Sequence, residues 1–446
     1  MKALLSTLRN IWKIEDLRLR IFTTLGFVLI YRLGSFVTLP GIDPNQLQLL
    51  ESQTSDGLLG LLNLFTGGAF SQASIMALGI MPYISASIVI QLLGVAVPYI
   101  QKLQREGESG RTKISQLTRY LTIVITGVQG PGYIANIQAT LPESAFFYNM
   151  TDQLSQTGFF VSSMLILVTG TLFAMWLGEK ITDRGIGNGI SLLIMIGIIA
   201  ALPQAFAFEF VTKINSSGGG LVMLVIELVL ILAVILLCIL LVQGTRRIPI
   251  AYPKQMMGQR FAGARQYIPL KINAAGVMPI IFAQAIMFIP ITFAGFSTST
   301  AASGFVQEFS DFAGFWYNFV FAILVIVFTY FYTAITVNPD QMAADMKRSG
   351  ATIYNLKQGK PTAKFLNETM TRIVLPGSFF LAFVAILPAF AMRAGVNPQF
   401  AQFYGGTSLL IMVGVVLDTV QQINAHLLNR HYDGLMKKGR RTRSGM

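Results

Sequence analysis

The stretch from Gly57 to Leu93 reads GLLGLLNLFTGGAFSQASIMALGIMPYISASIVIQLL. Its first part, Leu58 to Phe65, is almost wholly apolar and is bracketed by Gly57 and the pair Gly67-Gly68. At about 1.5 Å per helical residue this part reaches ~12 Å, far short of a hydrocarbon core of ~30 Å. The second part, Ala73 to Val97, is long enough to cross. A stubby apolar helix thus sits on glycine hinges just before a full span. Lipid cannot satisfy the ends of so short a helix, so it must be buried in protein or line a wet cavity. A re-entrant or interfacial helix with no further role is the plainer reading of the short piece taken alone.

The second part is repeated. Gly79-Ile80-Met81-Pro82-Tyr83-Ile84-Ser85-Ala86 returns as Gly276-Val277-Met278-Pro279-Ile280-Ile281-Phe282-Ala283. The shared pattern is G-[IV]-M-P-x-I-x-A. Glycine and proline inside an apolar run weaken a helix unless the fold uses them, and their aligned recurrence points to an internal duplication.

Working outward, 53% of the residues are hydrophobic and only 12% charged. Mean hydropathy is +0.60. A soluble globule carries about 25% charged residues, so the chain is read as a polytopic membrane protein, all-α. Cys238 lies in an apolar run and the two histidines, His426 and His431, sit near the basic tail. This composition offers no disulfide frame and no metal site. Ten spans are expected, at roughly 21–39, 73–97, 117–137, 158–178, 188–203, 219–242, 273–292, 315–337, 373–391 and 407–427. The first follows a basic start but is too long for a signal peptide and lacks a small-residue cleavage site. Before the fifth span stands Arg184-Gly185-Ile186-Gly187-Asn188-Gly189. With no strand before it and no Lys-Ser/Thr after it, this is a glycine-rich helix entry and not a nucleotide loop.

Charge fixes the orientation. The chain has 33 Lys and Arg. All but Arg32, Lys213 and Arg393 fall in segments on the same side as residues 1–20, if the spans alternate. Such asymmetry places both termini in the cytoplasm. Spans two and seven then run in opposite directions, so the duplication is an inverted repeat of five plus five. The expected halves are 1–205 and 206–427, followed by a basic tail, 428–446. Two cytoplasmic loops, 243–272 and 338–372, are long and basic; their charge follows the orientation rule, but their length suggests docking of a large anionic partner such as ribosomal RNA or an acidic protein surface.

No zinc helix, phosphate loop, nucleophile elbow or carboxylate pair is found, so no enzyme activity, cofactor or metal is expected. Only Arg32, Glu227 and Asp418 fall within the expected spans, with no obvious pairing among them. An inverted-repeat secondary transporter of a small solute is the rival reading, but it would place more polar groups at mid-depth. The isoleucine-lined G-M-P-x-I repeats suit a seal better.

Phe65 to Ala69, Ala77 to Ser87, Gly107-Glu108-Ser109-Gly110-Arg111, Arg184 to Ser191 and Gly405 to Ile411 are similar to motifs of the bacterial SecY family, the channel subunits of the general protein translocase. The resemblance runs from the first span to the tenth. It implies two halves around an hourglass pore, with a waist ring at Ile80, Ile84, Ile194, Ile281, Ala285 and Ile411. It implies a plug on the outer side from about Gly57 to Phe70, with Leu58, Leu59, Leu61, Leu62, Leu64, Phe65, Gly67 and Gly68. It implies a lateral gate of spans two and three against seven and eight, involving Ser85, Ser87, Gln91, Gln284 and Ile289. Cytosolic docking falls to Arg246, Arg247, Arg265, Lys347, Arg348, Lys357 and Lys360. Lys357 departs from the family, which usually has arginine there; a lysine loses bidentate geometry. The implied partners are SecE and SecG, the SecA motor ATPase, the ribosome, signal sequences with nascent secretory or membrane proteins, and membrane lipid. The implied location is the bacterial plasma membrane.

Overall fold

A computed structural model of the protein describes residues 12, 14–47, 50, 57–147, 153–215, 220–251, 266–294 and 313–443; the side chains of 57–59, 61, 105, 153, 266, 288–294 and 428–443 are not among them. The helices, in chain order, are α1 (Glu15–Gly34), α2 (Gly57–Thr66), α3 (Met81–Ala96), α4 (Pro98–Arg105), α5 (Glu108–Thr140), α6 (Gln153–Arg184), α7 (Gly189–Asn215) and α8 (Gly220–Gln243). After strands β1 (Thr245–Ala251) and β2 (Gln266–Lys271) come α9 (Met278–Ala294), α10 (Phe315–Thr336) and α11 (Pro339–Ser349). Strand β3 (Thr352–Ile353), α12 (Lys360–Arg393), α13 (Pro398–Ala401) and α14 (Gly406–Arg443) complete the chain.

The ten expected spans correspond to α1, α3, α5, α6, α7, α8, α9, α10, α12 and α14. Among the described residues six helical segments are long and apolar enough to cross unaided; α3 and α4 form a further span only as a pair bent by 105°. The helix α8 shows why lipid suits it: Leu221, Val222, Val225, Val229, Leu232 and Leu240 are all exposed. Glu227 is buried on its other face.

Packing bears out the duplication. In the first half α3 packs on α5, α5 on α6, and α6 on α7; in the second, α9 packs on α10, α10 on α12, and α12 on α14. The lone first helix of each half has matching neighbours, α1 against α6 and α7, α8 against α12 and α14, but α8 also packs on α7, which has no counterpart in α1. Between halves, α7 meets α14 and α3 meets α9. These are the helices that an in-plane two-fold axis exchanges.

The repeated motif has one local structure in both copies. Gly79 and Gly276 take positive φ, +51° and +64°, a region closed to most side chains. Helix then starts at Met81 and at Met278, with Pro82 and Pro279 in the first turn. Proline has no N–H to lose there, and its fixed φ favours helix entry. The expected spans 73–97 and 273–292 are therefore corrected: 75–80 and 272–277 are turns, and each helix begins at its Met-Pro. The fifth span is longer than expected. Alanines and aromatics continue past Pro203 without a breaker, so α7 runs to Asn215. The expected division at 205/206 falls inside this helix, not between elements.

The two ends of the bundle are tied differently. At one end Arg20 donates to the Gly185 carbonyl at 3.4 Å, and the Gln422 side chain accepts from Gly187 N at 2.8 Å. These bonds bind α1, the glycine-rich α6–α7 turn and α14. The same end carries an antiparallel sheet in the order β2-β1-β3. In it Ile248 pairs with Ile268, and Ile250 with Ile353. The two long loops thus share one sheet, an element that the helical periodicities did not announce. Ile248, Leu270 and Ile353 bury against Met346 of α11 and Leu366 and Met370 of α12. At the other end, bridges join Thr38 to Ser74 and Ile42 to Phe146.

That second end also holds a buried charge cluster. Lys213 Nζ lies 3.4 Å from Glu209 and 2.9 Å from Glu227, with both carboxylate side chains almost wholly buried. Lys213 also donates to Gly395 O at 3.1 Å, and Glu209 accepts from Asn397 N at 3.1 Å. Glu227 is therefore not isolated, against expectation. Its partners ride on the extra turns of α7 beyond the expected end of span five.

Candidate pore and gate

The helix α2 is ten residues long. It ends at Thr66, and residues 67–73 are turns, so the expected plug helix stops short of Phe70. Side chains close this end: Thr66 Oγ1 accepts from Phe70 N at 3.2 Å, and Asn63 Oδ1 from Ser71 N at 3.0 Å. Tyr133 of α5 donates to Phe70 O at 2.8 Å. The glycine pair has positive φ, +67° at Gly67 and +90° at Gly68. Gly67 also lies where another backbone approaches: a methyl there would come within 2.8 Å of Gly197 Cα on α7. Arg32 of α1 donates through Nη1 to the Gly67 carbonyl. The expected hinge is thus held from two sides.

Leu64 and Phe65 of α2 are buried in the central apolar cluster. Ile80, Ile84, Ile194 and Ile411 belong to the same cluster, and Ile281 and Ala285 pack against it half-buried. The six expected ring positions, drawn from α7, α9, α14 and the start of α3, thus all border one extended apolar cluster that also takes in Leu64 and Phe65 of α2. Leu62 packs instead on a second cluster around Leu39, Phe70, Tyr133 and Ile137. The side chains of Leu58, Leu59 and Leu61 lie outside the described residues. Beside α2 a cavity of about 220 Å³ is lined by Arg32, Asn63, Gln72, Gln204, Gln399 and Gln402 among others. Its glutamines were not singled out in the sequence, where Gln72, Gln204 and the Gln399-Gln402 pair lie far apart.

Along the α3–α9 seam, Ser85, Ser87 and Gln91 are half-buried, and Gln91 donates to Ser87 Oγ at 3.2 Å. Gln284 is turned elsewhere. It is 2% exposed and donates to Tyr317 Oη of α10 at 3.2 Å, inside the second half. The side chain of Ile289 lies outside the described residues. At the sheet end Arg246, Arg247, Lys347, Arg348, Lys357 and Lys360 are all exposed. Arg348 pairs with Asp345 at 3.5 Å. Arg265 lies outside the described residues. Among the described residues no cluster of His, Cys, Asp and Glu could hold a metal.

Two inverted halves meeting at an uncharged, isoleucine-rich centre define a polytopic membrane protein of the channel class. The family model described as SecY matches residues 74–420. A protein translocase subunit SecY from Streptomyces scabiei is 39% identical over 452 residues, covering 97% of this chain and 100% of the relative. The Vibrio cholerae protein of the same description is 41% identical, covering 95% of each. The chain belongs to the SecY family. Solved structures agree in fold. One described as a protein-conducting channel has a TM-score of 0.61 at 16% identity, covering 92% of both chains. Sec61 in the canine ribosome-channel complex scores 0.58 at 15% identity, again covering 92% of both.

Proposed function

We propose that this chain is the protein-conducting channel subunit of a Sec translocon in the bacterial plasma membrane. It passes unfolded secretory proteins across the bilayer and releases transmembrane segments sideways into lipid. The observation that carries this reading is the single apolar cluster holding Ile80, Ile84, Ile194 and Ile411 together with Leu64 and Phe65. A ring of flexible apolar side chains excludes water and ions by dewetting, yet fits around varied passing segments. The α2 helix is the plug that backs the ring from the outer side.

The halves are α1 to α7 and α8 to α14, parting along the α3–α9 seam. Ser85, Ser87 and Gln91 give that seam a polar lining toward the incoming signal sequence, while Gln284 stiffens one wall through Tyr317. The exposed cations around the sheet receive the SecA motor or ribosomal RNA. SecE and SecG complete the complex, and both termini lie in the cytoplasm. The chain supplies no energy and catalyses no reaction. A small-solute carrier would require a polar site at mid-depth, where this chain has isoleucine.

Reconstitution tests the reading. Purified with its partner subunits in vesicles, the protein should hydrolyse no ATP and move no secretory protein. Addition of the motor ATPase and ATP should start translocation into the lumen, measured by protease protection. Failure with an active motor and an intact signal sequence, or ATP hydrolysis by the pure complex, would overturn it.

A further inference from the structure

Arg32 stands in the last turn of α1, within a membrane-spanning helix. Among the described residues no carboxylate lies within ion-pair distance of it. An unpaired cation at this depth is costly and marks a functional site. Its guanidinium is spent on two neighbours. It lies over the Phe36 ring, 5.3 Å from the centroid, and Nη1 donates to the carbonyl of Gly67. Gly67 is the first residue beyond α2. The last carbonyls of a helix have no partner within it and form the negative end of its dipole. A charged donor placed there makes a bond roughly twice as strong as one between neutral groups.

The contact has little slack. A methyl at Gly67 would fall 2.6 Å from Arg32 Nη1 and 2.8 Å from Gly197 Cα. The Gly67 carbonyl can keep Arg32 only while α2 remains seated on α7. Arg32 also borders the cavity lined by Asn63, Gln72, Gln204, Gln399 and Gln402. Those side chains, with water, can take over the guanidinium when the carbonyl leaves.

We propose that Arg32 is the latch of the plug, a positioning residue that holds α2 in the pore through the Gly67 carbonyl, and that opening requires this bond to be exchanged for the polar cavity beside it. The proposal rests on the reading of α2 as the plug.

The test is single-channel recording of the assembled complex in planar bilayers, without a translocating chain. Four forms are compared: unaltered, Arg32→Gln, a deletion of 58–65, and both changes together. Loss of one charge-assisted bond should raise the open probability of Arg32→Gln on the order of 10- to 100-fold. The deletion should leak as well, and adding Arg32→Gln to it should change nothing further, since residues acting through one element are not additive. Arg32→Lys keeps the charge and a donor, and should leak less than Arg32→Gln. If Arg32→Gln stays tight while the deletion leaks, the latch is refuted and the plug stands. If Arg32→Gln multiplies the leak equally in the deleted background, Arg32 acts on the pore wall and the latch is again refuted. If the deletion itself stays tight, the plug reading fails first. Should Arg32→Gln not assemble, Arg32→Met decides: a leak above that of the unaltered complex, with no further increase when it is added to the deletion, supports the latch, and a tight Arg32→Met beside a leaking deletion refutes it.

Discussion

At the scale of single residues, the centre of the molecule depends on what is missing. Ile411 is 1% exposed and belongs to the central apolar cluster. An asparagine there brings an amide with no partner, and its desolvation costs about 1–3 kcal/mol unless water enters. We therefore predict that Ile411→Asn wets the closed pore. It should raise resting conductance and let exports with defective signal sequences pass more readily. Resting current equal to that of the unaltered complex, in planar bilayers, would move the seal away from this ring. Of the expected ring positions, Ile80, Ile84 and Ile411 lie in motifs that resemble a known family, while Ile194, Ile281 and Ala285 lie outside them. The direction of Gln284 was not legible, because a glutamine in an apolar run can turn to either neighbour and only the position of Tyr317 decides. Nor was the pairing of Glu227. It depends on where α7 stops, and the continuation from Phe206 to Lys213 carries no end signal that hydropathy detects.

At the scale of elements, the Met-Pro pair was visible in the sequence but its role was not. Read as a weak point inside a span, it is the point where a span begins. The sheet was hidden for another reason: its strands are short, and β1 and β3 are about a hundred residues apart in the chain. What the loops do present is charge. Arg246, Arg247, Lys347, Arg348, Lys357 and Lys360 are exposed around one small platform. Reversing Arg247 and Lys357 together should weaken motor or ribosome binding by about an order of magnitude at moderate salt, and binding of the unaltered protein should itself fall as salt rises. Pore conductance should not change. Co-sedimentation across a salt series measures this; an unchanged dissociation constant in the combined variant would assign the platform another purpose. The sheet itself should survive, since the Ile248, Leu270 and Ile353 face is buried away from these cations.

At the scale of the whole molecule, the inverted repeat was readable from the charge count and one octapeptide, because orientation is set by the sides on which cations accumulate. How the halves are joined was not readable. Lys213 reaches from α7 to Glu227 of α8 and to the Gly395 carbonyl, so one amine spans the joint. Removing one partner of a buried ion pair costs ~3–5 kcal/mol, because the remaining charge is left uncompensated. Lys213→Met should accordingly lower the thermal midpoint of the purified complex by several degrees, and adding Glu209→Gln with Glu227→Gln should recover most of it. Equal midpoints for Lys213→Met and the unaltered complex would show that the cluster carries no load. The sheet gives this joint its mechanical meaning. β1 is the middle strand, and its neighbours come from the connection between α8 and α9 and from the one between α10 and α12. Four helices therefore share one handle. A push on either loop reaches all four through the sheet. Lys213, gripping Glu227 at the opposite end of α8, anchors that helix where the sheet does not reach.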